Sequence, residues 1–95
     1  MGNKKEKWEA VQELYKNKRL LRLDILHHVN ELKAKCEYLI AQDRCPFREE
    51  TFLKELGDMY YLLTLLETCD SRFKDVVRSR KEAFIKKALK LLETR

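Results

Sequence analysis

Lys54-Glu55-Leu56-Gly57-Asp58-Met59-Tyr60-Tyr61-Leu62-Leu63 places two carboxylates three residues apart at the head of an apolar run, and its spacing decides how the chain is read. Phe52, Leu56, Met59, Leu63 and Leu66 step by four and three residues, the spacing of one helical face. The helix is expected to start near Phe47 or Arg48, with Glu49 and Glu50 in its first turn beside the positive end of the dipole. Gly57 sits inside it and costs about 1 kcal/mol relative to alanine, so close helix approach or access to a ligand is the expected reason for it.

Upstream, Leu21, Ile25, Val29, Leu32, Cys36 and Leu39 alternate steps of four and three, which gives a second amphipathic helix over roughly Leu20 to Gln42. Asp43-Arg44-Cys45-Pro46 ends it, because proline fixes its own φ and drives the preceding residue out of the helical region. Asn3 is placed to cap a first helix running to about Asn17, with Trp8, Val11, Leu14 and Tyr15 at helical spacing. Downstream, Asp70 or Ser71 caps a last helix whose apolar residues run from Phe73 and Val77 to Phe84, Ile85 and Leu92. That stripe is interrupted at Ser79 to Lys81, where a bend or split is expected.

Four helices with short connections in a single domain, residues 1–95, imply an all-α antiparallel four-helix bundle. A domain of this size buries only about 60 to 65% of its unfolded surface, so dimerisation is expected to wall in any deep cavity. Glycine occurs twice and proline once, while 39% of residues are charged, a helical composition. Uncharged runs fall short of the roughly 18 to 20 residues that cross a bilayer. The first residues lack an apolar signal core. Cys36, Cys45 and Cys69 form no C-x-x-C pair, so a reducing, cytoplasmic setting is expected rather than a disulfide framework.

The net charge of +5 is uneven. Residues 1–19 carry +3, residues 20–70 carry −4 and residues 71–95 carry +6. An acidic middle suits a cation, and basic ends suit phosphate or another anion.

The acidic middle has a regular geometry. With Ile25 at the centre of its helix face and about 100° per residue, His28 lies roughly 60° and Glu31 roughly 120° to one side. With Phe52 as centre, Glu55 and Asp58 fall at about the same two angles. If the helices pack antiparallel, the two pairs converge and offer three carboxylates and an imidazole, the oxygen-rich donor set that hard divalent cations prefer.

The stretch from Lys54 to Leu63 resembles the second motif of the MazG-like all-α nucleoside triphosphate pyrophosphatases, E-x-x-D followed by an apolar helix, including the glycine before the aspartate. The family's first motif, Glu-Glu-x-Gly-Glu-Leu, is matched in part by His27-His28-Val29-Asn30-Glu31-Leu32, which keeps the last glutamate and the leucine and has histidine for both leading glutamates. The likeness spans Leu23 to Leu66. It implies His28, Glu31, Glu55 and Asp58 as metal ligands, Glu31 and Glu55 as catalytic residues, Mg²⁺ or Mn²⁺ as cofactor, and a nucleotide whose pyrophosphate is released. Imidazole at a ligand position favours an ion softer than Mg²⁺, and hydrolysis is either retained or impaired.

The same residues admit plainer readings. Asp24, His28, Glu31 and Lys35 form an ordinary solvated flank with i,i+3 and i,i+4 pairing, each pair contributing about 0.2 to 0.5 kcal/mol. Trp8, Phe47, Tyr60 and Tyr61 serve as core or rim aromatics as readily as stacking platforms for a base. The last helix, with Arg78, Arg80 and Lys81 among its cations, is either a solvated face or a surface for an acidic partner protein or nucleic acid. The second functional expectation is therefore a non-enzymatic helical regulator acting through that helix. No P-loop or G-x-S-x-G motif occurs.

Overall fold

Asn17 starts the longest helix: its side chain accepts hydrogen bonds from the N–H groups of Arg19 and Leu20 at 3.1 and 3.2 Å. In the computed structural model, which describes residues 4–94, this helix is α2 (Lys18–Ala41), preceded by α1 (Lys4–Leu14). Asn3, the expected cap of α1, lies outside the described residues. The helix starts two residues earlier than the apolar spacing implies, because Asn17 caps α2 instead of ending α1.

The exit from α2 is a left-handed residue, Asp43 at φ 56°, a conformation that a short polar side chain tolerates better than a branched one. The Arg44 N–H then donates back to the Leu39 carbonyl at 2.9 Å. Pro46–Arg48 forms one 3-10 turn with proline at its head, and α3 (Glu50–Cys69) follows. The helix starts later than expected. Only Glu50 occupies its first turn, while Glu49 stands at the cap position and pairs with Arg44.

Asp70 alone separates α3 from α4 (Ser71–Glu93). Its carboxylate accepts from the Arg72 and Phe73 N–H groups at 2.9 and 3.3 Å, so one residue ends one helix and starts the next. The α4 helix is unbroken through Ser79–Lys81, so the expected bend is not seen. The interruption in its stripe is one of side-chain type and leaves the backbone ladder intact.

The described residues form four helices and no strand, an all-α chain. Leu21 on α2 and Leu62 and Leu65 on α3 make the centre of the core, with Trp8, Val11 and Tyr15 packed on it from the α1 segment. Leu21 is 1% exposed. Lys35 meets Glu55, whereas Leu21 meets Leu62 and Leu65, so rising numbers on α2 pair with falling numbers on α3 and the two run antiparallel.

The last helix is different. Like α1 it has no buried residue, but whereas Trp8 and Val11 of α1 pack on the core, no residue of α4 does, and Phe84 is 72% exposed. The radius of gyration is 16.8 Å, against about 12 Å for a compact chain of this length. Most of α4 therefore adds length to the molecule without adding to its core. No described helix is long and apolar enough to cross a membrane.

Candidate functional site

The antiparallel pairing of α2 and α3 brings His28, Glu55 and Asp58 together. His28 is fixed from its own helix, its Nδ1 lying 2.9 Å from the Asp24 carbonyl oxygen one turn earlier. With Nδ1–H donating to that carbonyl, Nε2 is the nitrogen turned toward α3, 3.7 Å from Glu55 Oε1 and 3.8 Å from Asp58 Oδ2. Its side chain is 19% exposed and that of Glu55 15%, while Asp58 is 69% exposed. The cluster therefore has a sheltered half and a solvated edge.

The second oxygen of Glu55 is already used. Lys35 donates from Nζ to Oε2 at 3.2 Å, so the carboxylate is held between an imidazole and an ammonium from the same helix. Glu31, half-buried, takes part in none of these contacts. Of the four expected ligands, the fold thus gathers three, and the cation supplied to Glu55 is the amine of Lys35. Among the described residues, no group of three or more His, Cys, Asp and Glu side chains is arranged to hold a metal ion. Ligand atoms about 2.1 Å from a small divalent ion would stand roughly 3 Å apart at neighbouring octahedral positions, closer than the nitrogen-to-oxygen distances here.

The pairing along the α2 flank also differs from simple i,i+4 ion pairs. Asp24 meets His28 through its backbone carbonyl, and its carboxylate Oδ2 instead accepts the Tyr15 hydroxyl at 2.5 Å. Lys35 reaches across to α3 rather than back to Glu31. Neither partner was legible from helix spacing alone, because both bonds join elements whose relative placement is a tertiary result.

Tyr15 lines a cleft together with Trp8, Val11, Asp24, His28, Asp58, Tyr61, Leu62 and Leu65. Its hydroxyl pKa is raised above 10.0, first by the hydrogen bond to Asp24, then by burial and by the carboxylate's charge. Trp8 meets Tyr61 edge-on at 5.8 Å between ring centroids, and Tyr61 meets Tyr60 at 5.6 Å. Phe47 packs similarly on Phe52 at 6.0 Å. These rings are engaged with one another as rim aromatics.

Gly57 does not serve close helix approach. A Cβ placed there meets nothing within 4 Å, so the expected packing reason is corrected by open space on that face of α3.

A separate surface is formed by α4. Phe73, Val76, Val77 and Phe84 line an apolar groove whose rim is Arg78, Arg80 and Lys81. The three cations singled out in the sequence therefore border an apolar strip, which neither spacing nor charge count revealed.

Comparison with protein-family models, with curated proteins and with solved structures gave no match for this chain.

Proposed function

We propose that this protein is a non-enzymatic helical interaction protein that engages an acidic partner protein through α4. The observation that carries the reading is a 23-residue amphipathic helix with no buried residue, on which Val76, Val77 and Phe84 are exposed, Phe73 is half-buried, and Arg78, Arg80 and Lys81 lie beside them. An amphipathic helix lays its apolar face into a hydrophobic groove, with anchors at i, i+3, i+4 and i+7. Phe73, Val77 and Phe84 have that spacing, and the cations around them favour carboxylates on the partner's rim. Binding to nucleic acid backbone requires the cations but leaves the apolar strip unexplained.

The experiment is site-specific photo-crosslinking in the full chain with a photoreactive residue at Phe84. A protein adduct is expected, reduced by added salt and by Arg78→Gln, Arg80→Gln and Lys81→Gln together. An adduct with nucleic acid in place of protein moves the function to backbone binding, and the lack of any adduct removes the reading.

The convergence of His28, Glu55 and Asp58 favours a second reading, a MazG-like site that binds Mg²⁺ or Mn²⁺ and nucleotide phosphates with Glu31 joining as a fourth ligand. It requires Lys35 to leave Glu55, since an ammonium and a divalent ion compete for one carboxylate. Pyrophosphate release from nucleoside triphosphates in the presence of either ion, lost in Glu55→Gln, supports it. Absence of both turnover and metal-dependent nucleotide binding eliminates it.

A further inference from the structure

The cleft that the α1 segment forms with α2 and α3 has a volume of about 300 Å³, at the lower end of the roughly 300 to 1,000 Å³ of small-molecule sites. Three kinds of side chain line it. Leu62 and Leu65 belong to the buried core. Trp8 and Tyr61 meet with ring planes 71° apart, so two aromatic surfaces of different orientation border the same space. Asp24, His28 and Asp58 supply the polar atoms.

Lysine and arginine account for 21 of the 95 residues. Among the described residues neither type lines this cleft, whereas two aspartates do. In a chain with a net charge of +5, the cleft therefore selects a cation over an anion. Its lining of rings and leucines selects one that carries an apolar body, since the faces of Trp and Tyr attract a cation and cover hydrocarbon alike.

The spacing of the polar atoms narrows the class further. His28 Nε2 stands 3.8 Å from Asp58 Oδ2 and 3.7 Å from Glu55 Oε1. With Nδ1–H donating to the Asp24 carbonyl, all three are acceptors. Their separations exceed the roughly 2.7 to 3.2 Å of a direct hydrogen bond, and also the roughly 3 Å between neighbouring ligands of a small divalent ion. A donor nitrogen about 2.9 Å from His28 Nε2 and from either carboxylate fits between acceptors this far apart. A primary ammonium carries three such N–H donors.

We propose that this cleft binds a small primary amine with an apolar or aromatic body, its ammonium between His28 and Asp58 and its body against Trp8, Tyr61 and Leu65. The site is separate from α4 and goes beyond the interaction reading. It uses His28 and Asp58 without a metal ion.

Trp8 is the single tryptophan of the chain, so its fluorescence reports on the cleft directly. Titration of the full chain with phenethylamine is expected to give a saturable change, with affinity about tenfold or more above that for phenethyl alcohol, which has the same shape without the charge. The Asp58 side chain is 69% exposed, so Asp58→Asn spares the core. That variant is expected to weaken the amine about tenfold and to leave the alcohol unchanged. Amide-resolved NMR is expected to place the shifted resonances at Trp8, His28, Asp58 and Tyr61. Equal affinity for amine and alcohol overturns the cation site and leaves an apolar cleft alone. Amine binding that is indifferent to Asp58→Asn, or shifts that fall outside the cleft, overturn the placement between His28 and Asp58. The lack of a saturable response to the amine in both fluorescence and NMR overturns the proposal outright.

Discussion

Lys35 Nζ donates to Glu55 Oε2 at 3.2 Å across twenty residues of sequence, tying the middle of α2 to the first half of α3. His28 approaches the other oxygen of the same carboxylate at 3.7 Å. His28 and Lys35, seven residues apart on α2, thus converge on one largely sheltered carboxylate. Glu55→Gln leaves the shape and removes the charge, so a loss of about 1.5 to 3 kcal/mol is expected, the range for hydrogen bonds to charged groups. Urea unfolding of the two proteins measures it.

Lys35→Met separates the structural role of this carboxylate from a cation-binding one. If divalent ions compete with Lys35, removing the ammonium raises Mn²⁺ affinity, and a hundredfold excess over Kd stabilises the fold by about 2.7 kcal/mol. Thermal melts with and without Mn²⁺ give the answer. No metal-dependent shift in wild type or variant is the outcome expected of the interaction protein.

Tyr15 and Asp24 supply a pH-dependent contact at the base of α1. The folded Tyr15 pKa is raised by the Asp24 carboxylate, so the folded state holds its proton more tightly than the unfolded state. Stability from this pair is complete below pH 10.0 and is lost as pH rises through the higher folded value. Tyrosinate absorbance is expected to show one residue titrating late, an anomaly reduced by Asp24→Asn, which removes the carboxylate and leaves the burial. At neutral pH, Tyr15→Phe is expected to cost about 0.5 to 1.5 kcal/mol.

Asp70 behaves in the opposite sense. The Phe73 N–H leads in lowering its pKa below 3.8, the Arg72 N–H, Lys18 and Arg72 add to the effect, and desolvation opposes it. Its contribution is therefore present above pH 3.8 and disappears as pH falls through the depressed folded value. Asp70→Ala is expected to lower the melting temperature at neutral pH and to flatten this part of the acid limb, with Asp70→Asn closer to wild type because asparagine caps well.

Leu21 and Gly57 bracket the packing of the hairpin. Leu21→Ala empties the most buried position and is expected to cost about 2 to 5 kcal/mol. Gly57→Ala adds a methyl group into open space and is expected to stabilise by about 0.5 to 1 kcal/mol. Chemical denaturation of both variants tests the two signs together.

Periodicity alone determined that this chain is helical, where the turns fall, and that α2 and α3 each carry an apolar face, because those features depend on neighbours three and four residues away. The same local geometry placed His28 beside Ile25 and Glu55 beside Phe52, at one edge of the packed pair. What it did not contain was the use of those side chains. Lys35 on Glu55, Tyr15 on Asp24 and the absence of Glu31 from the cluster depend on how separate helices are set against each other, which is decided by the packing of Leu21, Leu62 and Leu65. The position of α4 is the clearest case. Its stripe reads as a bundle helix in sequence, yet the one-residue junction at Asp70 prevents it from reversing, and only the tertiary structure turns that covalent limit into an exposed apolar face.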